Sequence, residues 1–185
     1  MHRKHSITVS LVVLLSYIAP CSGQAQSMQG GEKISSRYAN VSYQSESLLR
    51  LFNKRIKLSS LDYLLKRRIS EELSLQTQVL EKIDIIVERV ETILEMRPRN
   101  FKVDIIITPD ADTIRVLYRK KYGRKVDFLA FYVPAERTIY VPADEIKSNI
   151  LAHELAHAII DQYFGVVAPV KIHELLADYV TENFE

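Results

Sequence analysis

His153, Glu154 and His157 form a His-Glu-x-x-His run, with Glu174 seventeen residues beyond the second histidine and Asp178 four residues further on. Two histidines four apart on a helix project from one face, so both imidazoles can reach one metal ion while the intervening glutamate stands beside it. Two imidazoles and a more distant carboxylate leave zinc a fourth position for water, as in hydrolytic sites and unlike closed structural ones. In this scheme His153, His157 and Glu174 are the ligands of one Zn2+. Asp178, one helical turn beyond Glu174, accepts the remaining N–H of a ligand histidine and fixes its tautomer. Glu154 is the general base, taking a proton from the attacking water and delivering it to a leaving amine. A peptide amide is the natural substrate. Asp161, one turn after His157, is the competing carboxylate, but its place on the same helix suits a ligand less well than the separate helix of Glu174.

A motif this short recurs by chance, so its context decides. The flanks Asn149 to Ala152 and Ala158 to Ile160 carry no charge, which predicts a buried helix able to hold its ligands rigidly. The glycines at 123 and 165 each follow a predicted helix, where a left-handed residue is wanted. Between them, Val126 to Val133 and Arg137 to Val141 are apolar or β-branched runs around Pro134-Ala135-Glu136, which predicts an antiparallel hairpin. The metal-motif helix is then expected over Ala143 to Phe164, and a last helix from Pro169 onward. Before the hairpin, Phe101 to Thr108 reads as a buried strand and Asp110 to Tyr122 as a helix.

From Glu46 to Arg97 the spacing is helical. A short helix is expected over Glu46 to Lys57. A long amphipathic one follows, whose stripe runs from Leu73 through Val79, Ile83, Ile86, Val87 and Val90 to Leu94, and it ends before Pro98. The stripe is broad and lacks a strict heptad, so packing inside the domain is expected in preference to a coiled coil. The predicted fold class is α+β: N-terminal helices, a small mixed sheet including the hairpin, the active-site helix and a C-terminal ligand helix.

The 185 residues fit a single domain over 46–185, with residues 46–97 as its helical N-terminal part. Residues 1–25 have the basic, apolar and small-residue layout of a secretory signal peptide, and residues 26–45 read as a flexible polar lead-in. An exported, periplasmic or secreted protein is expected, without a transmembrane segment once the signal is removed. Lipidation at Cys21 is the less favoured alternative, because Pro20 replaces the usual small residue. Without Arg3 and Lys4, the 25 basic residues fall to 23 against 23 acidic ones, so no net charge recruits a polyanion. Lys66-Arg67-Arg68 and Arg119-Lys120-Lys121 are interleaved with acids and read as solvated helix faces. No nucleic-acid partner is expected.

His153-Glu154-x-x-His157 with Glu174-x-x-x-Asp178 resembles the gluzincin metallopeptidases, the thermolysin-like group whose third ligand is a glutamate on a following helix. The aromatic-rich stretch Phe131 to Pro142 leading into the motif helix resembles small bacterial members called peptidase MA-like. The resemblance covers about Phe101 to Glu185. It implies a zincin-like catalytic domain, a hairpin beside the cleft whose edge strand pairs with extended peptide or protein substrate, and an oxyanion-stabilising Tyr or His. Tyr179, Tyr163 and His173 are candidates for that last role. Two departures stand out. His173 replaces the Asn that often precedes the ligand glutamate, and the chain ends at Glu185 without the C-terminal subdomain of thermolysin-like enzymes. The positions held by Ile160 and Tyr163 exclude a metzincin, and no cysteine follows the leader to serve a deformylase-type site. The alternative to an exported zinc metallopeptidase is a catalytically weak, metal-binding peptidase-like module that binds another envelope protein. An intact Glu154 favours the enzyme.

Overall fold

The computed structural model describes residues 31–59, 73–165 and 169–184. The expected signal segment, Cys21 and the cluster Lys66-Arg67-Arg68 lie outside the described residues. Among those described, five α-helices accompany one five-stranded mixed sheet, an α+β architecture. The strands are β1 (Glu32–Ser35), β2 (Ala39–Tyr43), β3 (Val103–Thr108), β4 (Phe131–Val133) and β5 (Thr138–Pro142). The helices are α1 (Glu46–Arg55), α2 (Leu75–Leu94), α3 (Ala111–Tyr122), α4 (Ser148–Phe164) and α5 (Val170–Asn183).

The sheet order is β1-β2-β3-β5-β4. β2, β3 and β5 run parallel, while β1 and β4 are antiparallel edges. The hairpin appears as expected, β4 and β5 joined through a 3-10 turn at Pro134–Glu136. Its first strand is shorter than predicted. Residues 126–130 leave the ladder, and Phe128 instead packs edge-on against Tyr118 of α3 at 4.7 Å. There it joins a second apolar cluster with Phe131 and Val133.

The expected lead-in over residues 26–45 is corrected by β1 and β2, which occupy 32–35 and 39–43. In β2, Ala39, Val41 and Tyr43 point into the core while Asn40 and Ser42 stay half-buried, the period-two pattern of a strand with one covered face. The turn before β2 is held from below by Asp84 of α2. Its carboxylate accepts the hydroxyl of Ser36 at 2.5 Å, and Ser36 Oγ in turn accepts the main-chain N–H groups of Tyr38 and Ala39.

Helices α1, α2 and α4 pack on the sheet face carrying Val41, Ile105, Ile139 and Val141. The apolar stripe of α2 is thereby buried within the chain, against α1, α4 and β2. α2 ends at Glu95, whose φ of 54° closes the last turn, three residues before Pro98. α3 covers the opposite face near β4 and β5, and its Arg119, Lys120 and Lys121 are exposed, as a solvated helix face requires. α4 starts later than expected, at Ser148, because residues 143–147 form a turn whose first N–H bonds the Thr108 carbonyl. It ends as predicted at Gly165, with φ at 64°. No helix among the described residues is long and apolar enough to cross a membrane.

Candidate metal centre

α4 is buried along every residue from Leu151 to Ile160, enclosed by the sheet, α2 and α5. A helix so enclosed cannot roll, so the face carrying His153, Glu154 and His157 is fixed by packing. α5 crosses that face. Ala177 and Val180 supply its buried contact, and Glu174, Asp178 and Thr181 follow one another at four and three residues on the side turned toward the histidines.

The fold brings one ligand atom from each of His153, His157 and Glu174 to within 4.8 Å of the others. The two Nε2 atoms are 3.2 Å apart, and the Glu174 oxygens stand 3.8 Å from each of them. Three ligands on a tetrahedral ion with bonds of about 2.0–2.1 Å are separated by about 3.3 Å, so this donor set fits an ion with little adjustment. Two imidazole lone pairs facing each other at 3.2 Å repel, so a proton or a cation must lie between them. Asp161, the competing carboxylate, lies outside this three-residue cluster and instead accepts the hydroxyl of Tyr132 at 3.2 Å.

Burial lowers the pKa of His153, although the Asp178 charge and the Ala177 carbonyl oppose it. Burial, then the neighbouring His153 and His173, hold His157 well below the ordinary histidine value. Both rings are thus neutral donors at neutral pH, as metal ligation requires. Burial and the Asp178 charge push Glu174 up to about 7. Glu154 is pushed up to about 8 by burial first and the Glu174 charge second. One of its oxygens has no hydrogen-bond partner among the described residues. The main chain at Tyr132, on edge strand β4, partly offsets that rise. Two acids therefore share a buried space in which a cation would relieve the repulsion between them.

Asp178 reaches the expected side of His153 but stays 3.8 Å from Nδ1, beyond hydrogen-bond distance. Thr181 takes the nearer place, with Oγ1 at 3.1 Å from Nδ1. Sequence reasoning passed over Thr181. The signal available was its spacing, three residues beyond Asp178 and seven beyond Glu174, which keeps all three on one helical face. Of the three residues named as oxyanion stabilisers, His173 lies against the site, its ring 5.8 Å from that of His157 at an interplanar angle of 27°. Burial lowers the pKa of His173, opposed by Asp161. Tyr163 packs on Phe164 and is half exposed, as is Tyr179. A groove of about 1040 Å³ between the end of α2 and residues 97–102 shares no lining residue with the ligand cluster.

Comparison of the chain with protein-family models, with curated proteins and with solved structures finds no match.

Proposed function

We propose that this chain is an exported zinc-dependent metallopeptidase of gluzincin type, with a zincin-like catalytic domain. The observation that carries the reading is the convergence of His153, His157 and Glu174 within 4.8 Å, with Glu154 buried next to them on the same helix. Two neutral imidazoles and one carboxylate form a donor set suited to catalytic zinc. Zinc held there would polarise a substrate carbonyl and favour a water's ionisation.

The rest falls to the chain's own groups. Glu154 receives the proton of the attacking water and returns it to the amine as the amide C–N bond breaks. A carboxyl held near neutrality is suited to both halves of that exchange. The main chain of Tyr132 on edge strand β4 favours the ionised carboxylate. That same strand, an edge of the sheet among the described residues, can take an extended peptide as an additional antiparallel strand, which would align a scissile amide over the site.

The test is metal content and peptide hydrolysis of the protein lacking its leader. The expected result is about one zinc per chain, hydrolysis of a diverse peptide library that chelator abolishes, and a Glu154→Gln variant that retains zinc but loses turnover by at least about 100-fold. Zinc-loaded protein that cleaves no library member overturns the assignment as an enzyme.

A further inference from the structure

His153 faces the same helix at both ring nitrogens. Glu174 stands 3.8 Å from Nε2, and two helical turns later Thr181 Oγ1 stands 3.1 Å from Nδ1. The Thr181 hydroxyl donates to the Ala177 carbonyl at 3.0 Å. A hydroxyl has one proton to give. With that proton directed to Ala177, Oγ1 faces His153 as an acceptor, and Nδ1 must be the nitrogen that carries hydrogen. A neutral imidazole has only one N–H, so the lone pair is left on Nε2, the atom turned toward His157 and Glu174.

We infer that Thr181 is the positioning residue that selects the Nδ1–H tautomer of His153 and so presents Nε2 as a metal donor. Asp178 is poorly placed for this task. At 3.8 Å, with a side chain 55% exposed, it supplies a solvent-screened charge and no directed bond. The carbonyl of Ala177 completes the device. Its hydroxyl bond fixes the threonine rotamer, and the fully buried methyl of Ala177 lets α5 approach α4 closely enough for the contact. In chain order the helix supplies a ligand, a spacer methyl and a tautomer lock at positions 174, 177 and 181.

The tautomer is tested on chelator-treated protein and the affinity on zinc-titrated protein, so only the second rests on the proposed metal centre. Long-range 1H–15N spectra of the histidine rings should show His153 in wild-type protein as the Nδ1–H form. Thr181→Ser should keep that form, and Thr181→Val, which retains shape but removes the hydroxyl, should shift it toward Nε2–H. Zinc affinity measured by competition with a fluorescent chelator should fall about 10–100-fold in Thr181→Val and recover to within severalfold of wild type in Thr181→Ser. A wild-type His153 carrying its proton on Nε2 overturns the inference whether or not the valine variant folds. So does a valine variant with unchanged tautomer and unchanged affinity. If wild-type protein binds no zinc, the metal-centre reading fails, and the ring spectra still decide the role of Thr181.

Discussion

Replacing Glu174 by glutamine should move stability in opposite directions with and without metal. In the metal-free protein the Glu174 carboxyl is pushed from an ordinary 4.5 up to about 7 by burial and the charge of Asp178. Its own charge in turn helps raise Glu154. A folded-state value above the unfolded one means that the folded chain holds the proton more tightly. Stability therefore falls as pH rises from about 4.5 to about 7, and the deficit is complete above that window. The difference corresponds to about 3 kcal/mol. Partial solvent access to the side chain reduces this to about 1–2 kcal/mol. Glutamine has nearly the same shape and no charge. In chelator at pH 8, Glu174→Gln should therefore be more stable than wild type by about 1–2 kcal/mol, a rise in Tm of about 2–8 °C for a chain of this size. At pH 5, where the folded wild-type carboxyl is protonated, the gain should shrink to about a quarter of that. Zinc should reverse the order. At a free concentration 100 times its Kd, zinc bound at the proposed site should stabilise the wild type by about 2.7 kcal/mol, and a neutral amide in place of the proposed third ligand should abolish most of that gain. Thermal unfolding followed by circular dichroism, at both pH values with chelator or zinc, reads all four quantities. A variant less stable than wild type in chelator at pH 8, or one with an undiminished zinc response, refutes the account of Glu174.

Three further outcomes probe the frame around the site. Asp84→Ala removes the acceptor of the Ser36 hydroxyl that anchors the turn, and it should cost about 1 kcal/mol in urea unfolding, because the burial that raises the Asp84 pKa offsets part of that bond. An unchanged midpoint would show that the β1–β2 turn does not depend on α2. Tyr132→Phe deletes the bond to Asp161 but leaves the β4 main chain unchanged, so stability should fall by about 1 kcal/mol while zinc affinity stays within about twofold of wild type. A large loss of affinity would tie Asp161 to the metal centre after all. Gly165→Ala meets no atom within 4 Å yet must hold φ near +64°, so a fall of about 1–2 kcal/mol is expected, measured as a lower Tm.

The helical parts were legible because their signals are local. Gly123 and Gly165 close α3 and α4 where a left-handed residue was anticipated, and the stripe of α2 repeats over 20 residues. β1 and β2 were not read as strands. Only Ala39, Val41 and Tyr43 alternate inward, amid serines and asparagine, and what holds them is pairing with β3 some sixty residues away and the reach of Asp84 from α2. Such support has no trace in the immediate neighbours of Ala39. Similarly, Val126 and Phe128 are apolar enough for a strand, but the aromatic cluster around Tyr118 draws them off the ladder.

By itself the sequence determined the candidate donors and their order. Histidines four apart must share a helical face, Glu154 must lie beside them, and Glu174 and Asp178 must line one side of the next helix, because 3.6 residues complete a turn. Only the tertiary structure decided how those two faces meet. It set Glu174 and not Asp161 at 3.8 Å from both imidazoles, and Thr181 nearer than Asp178 to His153 Nδ1. It also set the main chain of β4 where it offsets part of the rise in the Glu154 pKa. The physical reason is that helical periodicity selects a direction, whereas distances of an ångström or less depend on how closely Ala177 and Val180 let α5 settle onto α4. The same burial keeps both imidazoles neutral and lifts both carboxyls toward neutrality.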